Sequence, residues 1–306
     1  MPHPSAPLYN FYLQTLQKSS SINDFLQPYL QTPTLRRLRH IGCFCGMDYA
    51  SPHVYHFAEY INRFDHSLTT ALLTARFTTD RAAILAALFH DAATPCFSHV
   101  IDYVHHDAVR QESTESSLPA VITSDPQLLT LLHRDRIDVQ NVINFKRYSL
   151  VDSPRPHLCA DRLDGLIASS IAWSQRLKKP RSIQQILQGL HAVTNDQGLL
   201  EIGATKTCRD HILALNDYLN TNCYTFVNTY MMQLLADIVQ LALEEKIITE
   251  QNLYSLSEQK LITLFQAKST GHLRQLLDHF FHVSPEQIPN TTPAVTKKHD
   301  LRVLTI

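Results

Sequence analysis

Residues Asn62 to Asp91 read NRFDHSLTTALLTARFTTDRAAILAALFHD, and this stretch decides the fold. Phe64, Leu68, Ala71, Leu72 and Ala75 recur every three or four residues, which places them on one face of a helix over about 62–77, with His66 near its N-terminal end. Thr78, Thr79 and Asp80 read as a turn and a cap, because short polar side chains satisfy the first amides of a following helix. That second helix turns Ala83, Ile84, Ala87 and Leu88 inward and reaches His90 and Asp91 near its C-terminal end. Pro95 stops it, since proline lacks the amide donor and restricts the residue before it.

Outward from this pair the helical period continues. Pro33 starts a helix after Thr32, with Leu35, Leu38 and Ile41 as its inward stripe, and residues 43–60, with Gly46 and Pro52, form a crossing or loop. Further helices are predicted over 97–104, 127–133, 138–145 and 157–175. Residues 180–203 read as a small two-strand element or a helix-loop insertion. Helices recur near 208–219, 224–247, 257–267 and 270–281. Ser284, Pro285 and Gln287 supply an N-cap, a first-turn proline and an acceptor, and Arg302 to Ile306 form a terminal strand. With only seven glycines and no alternating apolar pattern, the fold class is all-α with a small non-helical C-terminal extension. The expected organisation is a lead-in over 1–29, a core over 30–180 and a helical extension packed on it over 181–306.

Composition sets limits on function. A content of 44% hydrophobic and 18% charged residues is that of a chain with a packed core, not of a disordered one. A formal charge of −1 gives no global field for nucleic acid or an anionic membrane, so there is no specific nucleic-acid signal. The six cysteines match neither a disulfide scaffold nor repeated zinc loops and read as buried thiols. The first thirty residues hold no positive segment followed by an apolar run, and the apolar segment Tyr230 to Leu243 is interrupted by Gln233, Asp237 and Gln240. The expectation is a cytoplasmic protein without a membrane span.

Seventeen histidines raise the prior for metal or acid-base chemistry. His90 and Asp91 sit where an apolar helix meets a turn, so imidazole and carboxylate can face one cavity and suit a divalent cation. By itself the pair serves equally well as a surface hydrogen bond or a helix cap. His99 and Asp102, three residues apart, form a candidate proton-transfer or orienting pair, and Glu112 and Glu115 are near enough in sequence to add a carboxylate over the cleft.

Read together, Arg63-Phe64-Asp65-His66-Ser67, His90-Asp91, Phe97-Ser98-His99 and Asp161-Arg162-Leu163-Asp164 resemble the ordered signature of the HD-domain phosphohydrolases. The lead-in Thr32-Pro33 and Arg36 to Ile41 resembles the deoxynucleoside triphosphate triphosphohydrolase branch. The resemblance implies that His66, His90, Asp91 and Asp161 hold one divalent ion, with Mn, Mg, Fe, Co, Ni and Zn as candidates. Beside these ligands, Asp164 reads as their support or as a partner of Arg162, and Asp65 as an orienting carboxylate or a solvent-facing one; Arg63 and Arg162 are candidates for a substrate phosphate or for structural carboxylate contacts, and His99, Asp102 and Glu112 are the candidates for proton transfer. Four places depart from the triphosphohydrolase pattern: Thr94 replaces a histidine, Gln111-Glu112 stands for His-Glu, Gly165 follows Asp164 where a tyrosine is expected, and Ala168 and Ser169 stand where an Arg-Asp pair is expected. The expected activity is therefore metal-dependent hydrolysis of a phosphate ester of a nucleotide or small metabolite. Triphosphohydrolase action and nucleotide-binding regulation are the alternatives. The resemblance also permits a homo-oligomer.

Overall fold

The computed structural model describes residues 5–17, 20–107, 115–289 and 300–306, and in them sixteen α-helices and three short strands follow one another. Helices α1 (Pro7–Leu16), α2 (Ser20–Leu26) and α3 (Pro33–Arg37) precede the pair α4 (Arg63–Ala75) and α5 (Arg81–Phe89). Four short helices, α6 (Val100–Val104), α7 (Leu118–Thr123), α8 (Pro126–Arg134) and α9 (Val139–Ile143), lead to α10 (Ala160–Ala172). After α11 (Pro180–Gly189) come β1 (Leu190–Thr194) and β2 (Leu200–Ala204). They are followed by α12 (Lys206–Asn222), α13 (Phe226–Glu244), α14 (Glu250–Ser255), α15 (Glu258–Lys268), α16 (Gly271–His282) and β3 (Leu304–Thr305).

Helix α5 starts where Asp80 Oδ1 accepts the amides of Ala82 and Ala83 at 2.8 and 3.4 Å. Every residue from Ala83 to Phe89 is buried, so α5 is the central helix, packed against α4 and α9. Its alanines let the neighbouring helices approach closely. Leu85, Leu88 and Phe89 supply apolar area worth about 1.5–3 kcal/mol per side chain. Helix α4 also packs on α10, and α1 lies across α4, α10 and α11. One continuous hydrophobic cluster runs from Tyr9 to Val303.

Several boundaries differ from the sequence expectation for physical reasons. The helix expected from Phe97 begins at Val100, because Phe97 and Ser98 hold left-handed φ angles of 65° and 48°. The segment 180–203 is both of the predicted alternatives in series, a helix and then a hairpin. Strands β1 and β2 pair antiparallel from Leu190↔Ala204 to Thr194↔Leu200, and β3 adds in parallel through Gly203↔Leu304. Gly203 is required there, since a Cβ would lie 2.8 Å from a Val193 methyl. Helix α13 is long and apolar enough to cross a membrane by length and composition, and it buries Met231, Leu235, Ile238 and Val239 while packing on α6 and α16.

Candidate metal centre and its cavity

His66 stands one turn into α4 because Asn62 caps that helix. Asn62 Oδ1 accepts the Asp65 amide at 3.0 Å, and Asn62 Nδ2 donates to Asp65 Oδ2 at 2.9 Å. Asp65, expected to orient a ligand histidine, is instead spent on this reciprocal cap. The orienting contact comes from Asp164 near the start of α10, fully buried, whose Oδ2 lies 2.7 Å from His66 Nδ1. A carboxylate accepts, so Nδ1 carries the proton and Nε2 is left to face away from it. His90, at the C-cap of α5, reaches the same arrangement by donating Nδ1–H to the Ala87 carbonyl at 2.7 Å.

Both Nε2 atoms point toward Asp161 in the first turn of α10. Asp161 Oδ1 lies 3.1 Å from His66 Nε2 and 3.4 Å from His90 Nε2, and the three ligand atoms fall within 4.8 Å of one another. Yet both nitrogens are buried without a hydrogen-bond partner, so these approaches are close but poorly aligned for hydrogen bonds. A buried polar atom left this way costs about 1–3 kcal/mol. A cation at the shared point satisfies all three donors at once, and the donor set therefore fits one divalent metal ion.

The charges agree. Burial opposes a charged imidazolium at His66, but Asp161 and Asp164 outweigh it and raise its pKa to about 10. At His90 burial is likewise outweighed by Asp91 and Asp161, and the pKa is raised. Burial opposes the ionised form of Asp161, but the two histidines hold its pKa well below the usual carboxylate range. The acidic neighbours thus favour the charged imidazoles, and a bound ion competes with protons for the same nitrogens.

Asp91 adjoins this trio. Its Oδ2 lies 3.5 and 3.7 Å from the His66 and His90 Nε2 atoms and also accepts from Arg63 Nη1 at 2.7 Å. Arg63, His90 and His66 hold Asp91 ionised against burial. Thr94, which stands where the family resemblance calls for histidine, donates its hydroxyl to Asp91 Oδ1 at 3.1 Å. Arg37 Nη2 fixes the turn behind them through the carbonyls of Ala92 and Thr94 at 3.0 and 2.7 Å.

The other expected residues are distributed around one cavity of about 800 Å³. Arg63 lines it while bound to Asp91. Arg162 lines it too, with its guanidinium donating to the carbonyls of His157 and Ser153. His99 lines the wall with a side chain 43% exposed, and its Nδ1 is 3.0 Å from Oδ2 of buried Asp102. Glu112 and the side chain of Glu115 lie outside the described residues. All six cysteines are unpaired, and Cys43 and Cys45 are only half-buried and line the cavity. Burial raises both thiols, Cys45 to about 11, so they stay protonated near neutrality.

Three features escaped sequence reading. Tyr9 on α1 donates to Asp164 Oδ2 at 2.8 Å, beside Thr69 Oγ1 at the same distance. Glu59 pins the start of α1 by accepting the Leu8 and Tyr9 amides at 2.8 and 2.9 Å. Fully buried Glu258 on α15 accepts the amides of Phe97 and Gly42 at 2.7 and 3.0 Å, holding the turn that leads to His99. At the other end of the cavity, Phe44, Phe57, Trp173 and Tyr224 form an aromatic wall. The aromatics of residues 43–60 were visible in the sequence, but nothing there showed that they meet Trp173.

Residues 63–169 match the family model of the HD domain, a span that contains all four expected ligands. The chain is 28% identical over 105 residues to the uncharacterized protein YdhJ of Bacillus subtilis, covering 34% of this chain and 32% of that protein. It is 26% identical over 141 residues to the metal-dependent phosphohydrolase cns2 of Cordyceps militaris, covering 46% of this chain and 40% of that protein. Each match spans well under half of the relative's own length. Segment, fold and donor set agree: residues 63–169 are similar to the HD domain, and they lie within an all-α architecture.

Proposed function

We propose that this protein is a metal-dependent hydrolase of phosphate esters, acting on a nucleotide or another small phosphorylated metabolite. The observation that carries the reading is the convergence of two buried, unpartnered imidazole nitrogens and a carboxylate oxygen at the wall of an 800 Å³ cavity. The HD-domain match and the relative named as a metal-dependent phosphohydrolase support it. Two imidazoles with carboxylate favour a transition ion such as Mn, Fe, Co, Ni or Zn over Mg, which prefers an all-oxygen shell. Such an ion lowers the pKa of water and polarises a phosphoryl oxygen.

The side chains divide the remaining work. Asp164 and the Ala87 carbonyl hold the two histidines in the tautomer that presents Nε2. Arg63 keeps Asp91 ionised and brings positive charge to the phosphoryl end of the cavity. His99, braced by Asp102 and exposed to the cavity, is placed to give a proton to the leaving oxygen. Arg162, bound to backbone carbonyls, shapes the 153–157 wall as well as adding charge.

The test is turnover by purified protein loaded in turn with Mn, Mg, Fe, Co, Ni and Zn, against nucleotide and non-nucleotide phosphates with products identified. Orthophosphate released only with metal is the expected result. Inorganic triphosphate with a nucleoside would select the triphosphohydrolase alternative, and no turnover by any stoichiometrically loaded form would overturn the hydrolase reading.

A further inference from the structure

Residues 300–306 come back to the cavity from the far side of the helical extension. Leu301 and Val303 alternate with Arg302, the period-two pattern of an extended segment. Val303 is buried, and Leu301 lines the cavity, as do Ser153, Pro154 and Arg155 of the loop before α10. The backbone ties the segment to both neighbours. The Arg302 amide donates to the Pro156 carbonyl at 2.7 Å, and Arg302 bridges His157 in parallel. Further on, Leu304 and Thr305 pair with Gly203 and Ala204 of β2, and Arg209 Nη1 donates to Thr305 Oγ1 at 2.8 Å.

A strand of two residues specifies its register weakly, and a slip by one would turn the charge of Asp300 or Arg302 toward the cavity in place of Leu301. A buried polar junction prevents this. Arg302 Nη2 donates to His157 Nδ1 at 2.9 Å and reaches Glu201 Oε2 at 3.2 Å. Glu201, on β2, is 1% exposed, and its Oε2 also lies 2.9 Å from His157 Nδ1 and accepts from Asn195 Nδ2 at 3.2 Å. Burial opposes its charge, but His157, Asn195 and Arg302 outweigh that and lower its pKa. Arg302 is the permanently charged partner among them, so the buried carboxylate holds it in one place. From the other side Arg162 of α10 donates to the carbonyls of His157 and Ser153. The 153–157 wall is thus pinned between two arginines, one from α10 and one from this segment.

We propose that residues 300–306 form a strap that sets the width of the cavity. Leu301 is a wall residue that selects occupants by size, and Arg302 is the positioning residue that fixes Leu301 and the 153–157 wall in register. The idea rests on the phosphohydrolase reading only for calling the occupant a substrate.

The cavity carries its own reporters. Cys43 and Cys45 line it, whereas Cys96, Cys159, Cys208 and Cys223 are buried. The full chain is treated with N-ethylmaleimide and with the bulkier fluorescein-5-maleimide, and labelling is followed at each cysteine by peptide mass mapping. Leu301→Ala and Arg302→Met should each speed fluorescein-5-maleimide labelling of Cys43 or Cys45 by about threefold or more, with a smaller change for N-ethylmaleimide. The four buried cysteines should stay unlabelled. Arg302→Lys should fall between wild type and Arg302→Met, because its amine still donates to His157 and Glu201. Rates equal to wild type in both variants overturn the proposal, and so does labelling that spreads to the buried cysteines in both, which would make the strap a support of the fold alone. With metal-loaded protein and 4-nitrophenyl phosphate, Arg302→Met should raise KM by about threefold or more while kcat stays within about twofold and metal content is unchanged. A fall in kcat at constant KM would overturn the positioning role. No turnover of this ester by wild type under any metal counts against the hydrolase reading and leaves the labelling comparison to judge the strap, so the two claims fail separately.

Discussion

The two ends of the cavity are built by different physics. The metal end is a hydrogen-bonded cage: His66, His90, Asp91 and Asp161 come from α4, α5 and α10, and each is fixed by a named partner within residues 63–169 or by another ligand. The aromatic end draws Phe44 and Phe57 from the long crossing before α4, Trp173 from the end of α10 and Tyr224 from just before α13, held by packing area. On the proposed reading, chemistry belongs to a local constellation and selectivity to a wall assembled from distant segments. If that division is real, a change at one end should leave the other intact. The largest expected effect is that of Asp161→Asn. Supporting partners of metal ligands are worth about 10–100-fold in affinity, so loss of a ligand itself should exceed about 100-fold. Metal analysis of dialysed protein checks this, and Trp173 emission should be unchanged. Retained metal would remove Asp161 from the ligand set.

The metal end is not self-sufficient, and Glu258 shows where the division breaks. This α15 carboxylate sits buried under Gly42 and Phe97, far outside the HD segment. Burial raises its pKa from 4.5 to about 7, against the two amides and Arg63, which favour the charged form. A carboxyl whose folded pKa is raised binds more protons folded than unfolded between pH 4.5 and about 7. Its contribution is therefore fully present below pH 4.5 and is lost as pH rises through about 7. At about 1.4 kcal/mol per unit, the loss is on the order of 3 kcal/mol at most. Urea unfolding from pH 5 to 8 should show wild type losing stability relative to Glu258→Gln across that window. Parallel profiles would show that Glu258 titrates in the folded protein as it does in the unfolded chain.

Tyr9 is the second outside support, and it acts through Asp164 on a ligand histidine. Tyr9→Phe keeps the ring and removes the hydroxyl's two buried contacts, to Asp164 and to Thr69, each worth about 1 kcal/mol. Metal affinity should fall by about fivefold to tenfold, less than for Asp164→Asn, because the contact lies one bond further from the ion. A competition titration with a fluorescent chelator separates this from general destabilisation. An equal loss of unfolding free energy with unchanged metal affinity would make Tyr9 structural only.

These supports explain what was legible in the sequence and what was not. The helices α4, α5 and α10 were readable because period, caps and prolines are local signals, and the ordered histidines and aspartates rode on them. Asp65 was misassigned because its neighbour Asn62, three residues away, competes for it through the helix cap, a contact no spacing rule ranks against a ligand contact. The start of α6 was missed because Phe97 and Ser98 take left-handed backbone where Glu258, more than 150 residues away, claims the Phe97 amide. Tyr9 and the aromatic wall are legible only through tertiary contact, since an apolar stripe looks the same whether it faces a core or a cavity.

Gly165 gives the smallest effect and the sharpest division between the ends. It lies inside α10, where glycine costs about 0.5–1 kcal/mol relative to alanine through the freedom it loses on folding. A fold selected for stability alone would place alanine here, because the added Cβ meets nothing within 4 Å. Gly165→Ala should therefore raise the unfolding free energy by about 0.5–1 kcal/mol, read as a higher urea midpoint at unchanged slope. Metal affinity should not move, as neither Asp161 nor Asp164 gains or loses a contact. A destabilised variant would mean that the wall beside α10 closes onto Gly165, and the cavity between the metal end and Trp173 would then be interrupted.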